Sequence, residues 1–162
     1  MKTARALPAV AVVSGKIYAI GGQDKDALAI DTVEDYDPGT GMWTLHTSTR
    51  SHMPFPRVNP GAAFLPDGKI YVVGGEDLSH PVATVEVYDP STDSWAILPP
   101  PPMPTARAAL GAAAVGNLLY AVGGTSPGPA ITGQQFIYQI TATNGPIMSY
   151  DAIGLPKDLT VD

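Results

Sequence analysis

Three near-copies of one phrase set the tightest limit on how this chain can fold. The stretch "GKIYAIGGQD" at residues 15–24 returns as "GKIYVVGGED" at 68–77 and as "NLLYAVGGTS" at 117–126, each a short apolar run closed by two glycines. The second glycines, Gly22, Gly75 and Gly124, lie 53 and then 49 residues apart. Units of this length are self-contained sheets that cannot bury both of their own faces, so neighbouring units must stack to form a core.

Other landmarks keep step with the glycines. Tyr36 and Tyr88 sit in "VEDYDP" and "VEVYDP", and Trp43 and Trp95 each follow their tyrosine by seven residues. Arg5, Arg57 and Arg107 precede the first apolar run of each unit, and "MPFPR" and "MPTAR" close the first two units. Short apolar runs bounded by turn residues predict four strands per unit: in the second, roughly "GAAFL", "KIYVVG", "TVEVYD" and "SWAIL". No segment has the periodicity of a helix. The glycine pairs Gly21-Gly22, Gly74-Gly75 and Gly123-Gly124 fit a strand end that needs positive φ and close approach of another chain. They lack the spacing and the following helix of a dinucleotide site.

Composition narrows the function classes. With 162 residues and 44% hydrophobic content the chain has material for one domain with a real core. Nine basic residues against 15 acidic ones, a net charge of −6, argue against a phosphate-tracking surface, so nucleic acid is not expected as a partner. The absence of cysteine excludes disulfides and thiolate metal sites and leaves the compartment open. The opening "MKTARALPAVAVV" reads as a first strand rather than a signal peptide, because it aligns with the corresponding stretches of units two and three. No run approaches the ~18 apolar residues of a membrane span.

Taken together, Arg before the first strand, Gly-Gly ending the second, Tyr in the third and Trp in the fourth resemble the kelch repeat. The resemblance implies an all-β, kelch-type β-propeller with three four-stranded blades, 1–56, 57–106 and a degenerate 107–162 with a tail, forming one propeller domain. Unit three keeps Arg107, Tyr120, Gly123-Gly124 and Tyr138 but has no Trp. There an Asn144-Gly145 turn is expected, with Ile147 filling the missing place. Propellers close with four to eight blades. Three blades are therefore expected to be half of a six-bladed ring, closed as a homodimer, with "LPKDLTVD" adding an edge strand to the partner; a piece of a longer propeller is the alternative.

Loops 2–3 and 4–1 of each unit are long and varied, whereas loops 1–2 and 3–4 are tight, so the long-loop face is the expected binding face. Candidate ligand-binding residues there are Arg5, Arg57, Arg107, His52, Glu76 and His80. The resemblance implies arginines at the channel mouth that grip an anion, and the competing account pairs each arginine with an acidic residue of its own blade. The run Glu76-Asp77-x-x-His80 does not reproduce the spacing of iron-holding kelch proteins, His46 shares no evident ligand set, and neither metal nor cofactor is expected. The tyrosines, tryptophans and glycine pairs are expected to be architectural. The resulting expectation is a module recognising a protein or a small anionic ligand, with no catalytic residues assigned. A six-bladed kelch enzyme acting on a sugar or sugar acid, and a fragment without separate activity, are the alternatives.

Overall fold

A computed structural model describes residues 1–77, 79–97, 103–127, 137–141 and 150–152, the last two stretches as backbone. Asn144, Gly145, Ile147 and the tail after residue 152 lie outside the described residues. The described chain contains strands and turns and no helix. Strands β1 (Ala9–Val13), β2 (Lys16–Ile20), β3 (Val33–Asp37) and β4 (Met42–Leu45) form the first sheet. Strands β5 (Gly61–Phe64), β6 (Ile70–Val73), β7 (Val85–Asp89) and β8 (Ser94–Ile97) form the second, and β9 (Gly111–Val115), β10 (Leu118–Val122), β11 (Ile137–Thr141) and β12 (Tyr150–Ala152) the third. Each sheet is an antiparallel meander in sequence order.

Alternation of side chains across a strand explains why the second sheet is apolar on both faces. Along β6 every residue is buried. Ile70 and Val72 join Ala9, Ala11, Val13, Tyr18, Ile20 and Met53 in a core between the first and second sheets. Their neighbours Tyr71 and Val73 join Leu110, Leu119 and Met103 in a second core, between the second and third sheets. The first strands β1, β5 and β9 pack side by side, so the sheets fan out from a common inner edge. At that edge a Cβ on Gly61 would stand 2.9 Å from the Cβ of Ala112.

Each tyrosine–tryptophan landmark is a cross-strand pair: Tyr36 stands opposite Trp43 and Tyr88 opposite Trp95, with ring centroids 5.2 Å apart in both. Trp95 Nε1 donates to Ser51 O at 3.0 Å, tying the second sheet to the loop that precedes it. In the third sheet the register is different from the sequence alignment. Tyr138 pairs with Ala121, the place that Glu34 and Glu86 hold against Ala19 and Val72. Ile140 holds the place of Tyr36 and Tyr88, and Tyr150, opposite it, holds the place of the tryptophans. Tyrosine spacing in the sequence therefore misaligned this unit by two residues, which keeps the same sheet face but shifts the partner.

The junction between the first and second sheets has a polar patch. His46 presents Nε2 to Asp35 Oδ2 at 2.9 Å and Nδ1 to Asp93 Oδ1 at 3.1 Å. Tyr88 donates its hydroxyl to Asp93 at 2.6 Å, and Lys16 holds the other oxygen of Asp35 at 2.8 Å. Burial first, then the bond to Asp93, pushes the Tyr88 phenol up, so it stays a donor. In the second sheet Val87, opposite Tyr71, takes the register place that Asp35 holds opposite Tyr18, so the next junction has no counterpart of this carboxylate.

Candidate functional site: the long-loop face

The loops leaving β2 and β6, at 21–32 and 74–84, meet the segments that lead into β5 and β9. Gly22 N–H donates to Arg57 O at 2.9 Å, and Gly75 N–H to Arg107 O at 2.8 Å. Met53 N–H reaches Asp31 O at 2.8 Å, and Met103 N–H reaches Ala83 O at 2.9 Å. Here the glycine pairs acquire their physical reason. A Cβ on Gly21 would stand 2.9 Å from Arg57 O and one on Gly74 2.5 Å from Arg107 O, at φ of +63° and +62°. The close approach is made by the neighbouring unit's arginine segment.

The arginines turn inward, into their own sheets. Arg57 is 1% exposed. Its guanidinium donates to Gly74 O at 2.9 Å, Thr84 Oγ1 at 3.0 Å and Phe55 O at 3.1 Å, and to Glu86 Oε1. Arg5, its side chain fully buried, donates to Gly21 O at 3.0 Å, Thr32 O at 2.9 Å and Glu34 Oε1 at 2.8 Å. Arg107, buried as well, donates to Gly123 O at 3.1 Å and Gly124 O at 3.2 Å. The fork geometry of guanidinium suits this work, since one group satisfies carbonyls at the ends of two strands while a carboxylate on the third strand balances its charge.

Glu34 and Glu86 are the residues that the sequence reading missed. A signal was present: each stands two residues before its tyrosine in "VEDYDP" and "VEVYDP". Their environments differ by one residue. Burial opposes the charge of Glu34, but the N–H groups of Lys2 at 2.5 Å and Thr3 at 2.8 Å, with Arg5, outweigh it and hold the carboxyl below its ordinary range. In the second sheet Pro54 occupies the place of Lys2, three residues before the arginine, and proline has no N–H. Among the described residues Glu86 Oε2 has no hydrogen-bond partner, and burial pushes this carboxyl up to about 7 despite the attraction of Arg57 and of the Phe55 N–H.

Opposite pH dependences follow. Stability from Glu34 is present above the ordinary carboxylate range and is lost as pH falls through its lowered value; the penalty of Glu34→Gln therefore vanishes in acid. Stability from Glu86 is present below the ordinary range and is lost as pH rises toward about 7. The penalty of Glu86→Gln therefore shrinks between mildly acidic and mildly alkaline solution. Urea unfolding of both variants and the parent, from acid below the ordinary carboxylate range to mildly alkaline solution, measures this: the Glu34→Gln penalty should grow with pH in the acid part and the Glu86→Gln penalty shrink in the upper part, and penalties that move in the same direction would refute the assignment.

The other expected ligand residues lie on the loops without converging. His52 Nδ1 stands 3.0 Å from Asp31 Oδ1, both partly exposed. Glu76 joins a backbone bridge with Val58 and another with Pro81. His80 is exposed, its Nδ1 2.8 Å from Ser79 Oγ. Asp77 Oδ1 accepts the N–H groups of Ser79 and His80, each at 2.8 Å, so this carboxylate is taken up by the backbone of its own loop. These bonds, His80 first, hold the Asp77 carboxyl below its usual range. Among the described residues no three His, Asp or Glu side chains are placed to share a metal ion. The same loops expose Leu28 and Phe55, the latter 52% exposed between Pro54 and Pro56.

Comparison with known proteins agrees with this architecture. The kelch motif model matches residues 4–45 and 56–102, more than half of the chain. The chain is similar to Kelch repeat and BTB domain-containing protein 13 of Homo sapiens, 33% identical over 101 residues, covering 62% of this chain and 21% of that protein. It is also similar to Kelch-like protein 35 of Mus musculus, 38% identical over 87 residues, covering 54% of this chain and 13% of the relative. Kelch-like protein terF of Aspergillus terreus is 33% identical over 129 residues, covering 72% of this chain and 26% of the relative. The chain thus spans about a quarter or less of the length of these proteins.

Proposed function

The chain belongs to the kelch-repeat family of β-propeller proteins, and from that premise we propose that it is an interaction module, binding a protein ligand through its long-loop face in a ring completed by a second copy. The observation that carries this reading is Phe55. Its ring is half exposed, yet its carbonyl accepts from Arg57 Nε at 3.1 Å, and Met53, two residues before it, donates its N–H to Asp31 O. An aromatic side chain on a backbone held this way loses little conformational entropy on docking, which is the character of an interface anchor. A small anion is less well served, because the buried guanidinium groups of Arg5 and Arg57 face carboxylates of their own sheets and the chain carries a net charge of −6.

A photo-crosslinking amino acid at position 55 tests the proposal, with the same probe at Thr40 on the short-loop face as the control. The expected result is a discrete protein adduct from position 55 that unlabelled parent chain competes away and Leu28→Asp diminishes. Equal adducts from both faces, or none from position 55, would overturn it.

A further inference from the structure

We propose that Pro54, by withholding an N–H from the buried Glu86 carboxyl, makes this group a proton-controlled latch on the segment that presents Phe55. The latch is a property of the second sheet, and its consequence for binding rests on the interface reading above.

The first two units differ at one backbone donor. In the first, Glu34 Oε2 accepts the N–H of Lys2 at 2.5 Å and Oε1 that of Thr3 at 2.8 Å. In the second, Pro54 and Phe55 hold those places, three and two residues before the arginine. The Phe55 N–H still donates to the Glu86 carboxylate, but proline has no N–H to give. Glu86 is 0% exposed, and its Oε2 meets no donor among the described residues. A buried carboxylate oxygen without a donor carries its desolvation cost in full, and protonation removes most of that cost.

Both backbone groups of Phe55 hang on the Arg57–Glu86 pair. Its N–H goes to Glu86 and its carbonyl takes Arg57 Nε at 3.1 Å. The first unit lacks the second of these bonds, since Arg5 Nε has no acceptor among the described residues. On either side, Met53 N–H donates to Asp31 O at 2.8 Å and Gly22 N–H to Arg57 O at 2.9 Å. The stretch that carries the exposed ring is thus bonded directly to the carboxyl whose charge is costly.

The charged groups around Glu86 do not cancel that cost. Arg57 faces it from the segment before β5, and Asp77, on the loop after β6, acts on Arg57 in turn. Its partners across the sheet, Val72 and Ile97, are apolar. Asp31 and His52, 3.0 Å apart, stand on the adjoining segments. Tyr88, next on the same face of β7, leads through Asp93 to His46, Asp35 and Lys16. Burial outweighs Arg57 and Phe55, and the carboxyl stands at about 7.

The closed segment therefore favours the protonated carboxyl. As pH rises from the ordinary carboxylate range to about 7, closure loses ground to an arrangement in which water reaches Oε2, and above that value the loss levels off. Phe55 is held in mildly acidic solution and loosened toward neutrality, where a partner docking on its ring would bind more weakly.

Amide hydrogen exchange of the full chain, followed by NMR from about pH 5 to about pH 8 and corrected for the intrinsic rate, tests this. Protection of the Gly22, Met53 and Phe55 N–H groups is expected to fall by about tenfold or more. Gly75 N–H, bonded to Arg107 O in the next junction, is the control and should keep its protection. Pro54→Ala restores the donor and Glu86→Gln removes the titration, and each should flatten the fall; His52→Gln should leave it in place. Pro54 is exposed, so Pro54→Ala decides the matter even where Glu86→Gln fails to fold. No fall, a fall shared equally by Gly75, one that survives Pro54→Ala or Glu86→Gln, or one abolished by His52→Gln would each overturn the proposal. Phe55 adducts without this pH dependence would remove the latch and keep the interface; the pH dependence without adducts would do the reverse.

Discussion

Gly74→Ala is expected to destabilise the chain by about 3–5 kcal/mol, enough to unfold much of it at room temperature. Two effects add. At φ of +62° an alanine takes on the left-handed penalty of about 1–2 kcal/mol, and its Cβ would also press to 2.5 Å on Arg107 O. That oxygen belongs to backbone bonded to Gly75 N–H, so it cannot withdraw without breaking the seam between the second and third sheets. Gly68→Ala separates the two effects, because Gly68 has φ of +86° with nothing within 4 Å of the added atom. It is expected to cost only the conformational part, about 1–2 kcal/mol. Urea titrations of the two variants read the difference, and equal midpoints would mean that the neighbouring carbonyl imposes no constraint.

Arg57→Met is expected to have a comparable effect, about 3–5 kcal/mol, for a different reason. Methionine keeps the apolar stem but removes every donor, leaving Gly74 O, Phe55 O and Thr84 Oγ1 without their guanidinium and Glu86 without its counter-charge. Buried acceptors stripped of donors carry their full desolvation cost. Arg57→Lys should recover less than half of the loss, since a single ammonium cannot span acceptors on two strands and a loop as a planar fork does. Full recovery by lysine in thermal unfolding would show that charge alone matters at this position.

How far the sequence could be read depended on whether a feature was local. The four strands of the second unit fall within a residue or two of their expected limits because turn residues and apolar alternation act over a few positions. Kelch membership likewise rests on landmarks that recur in step. Where a signal was single, spacing alone misled: Tyr138 was aligned with Tyr36 and Tyr88, whereas strand pairing gives it the place of Glu34 and Glu86. The carboxylates that balance Arg5 and Arg57 were visible as repeated letters, but nothing local says that a guanidinium more than two dozen residues away will turn toward them. His46 was equally opaque, since its two carboxylates come from different sheets.

By itself the sequence determined the repeat, the strand count within each unit and the need for glycine where each second strand ends, since these follow from backbone conformation and side-chain period. Only the tertiary structure decided which chain crowds those glycines, that the arginines serve their own sheets, and which surfaces remain uncovered. The reason is that such outcomes depend on distances between segments far apart in the chain, which no spacing of letters contains.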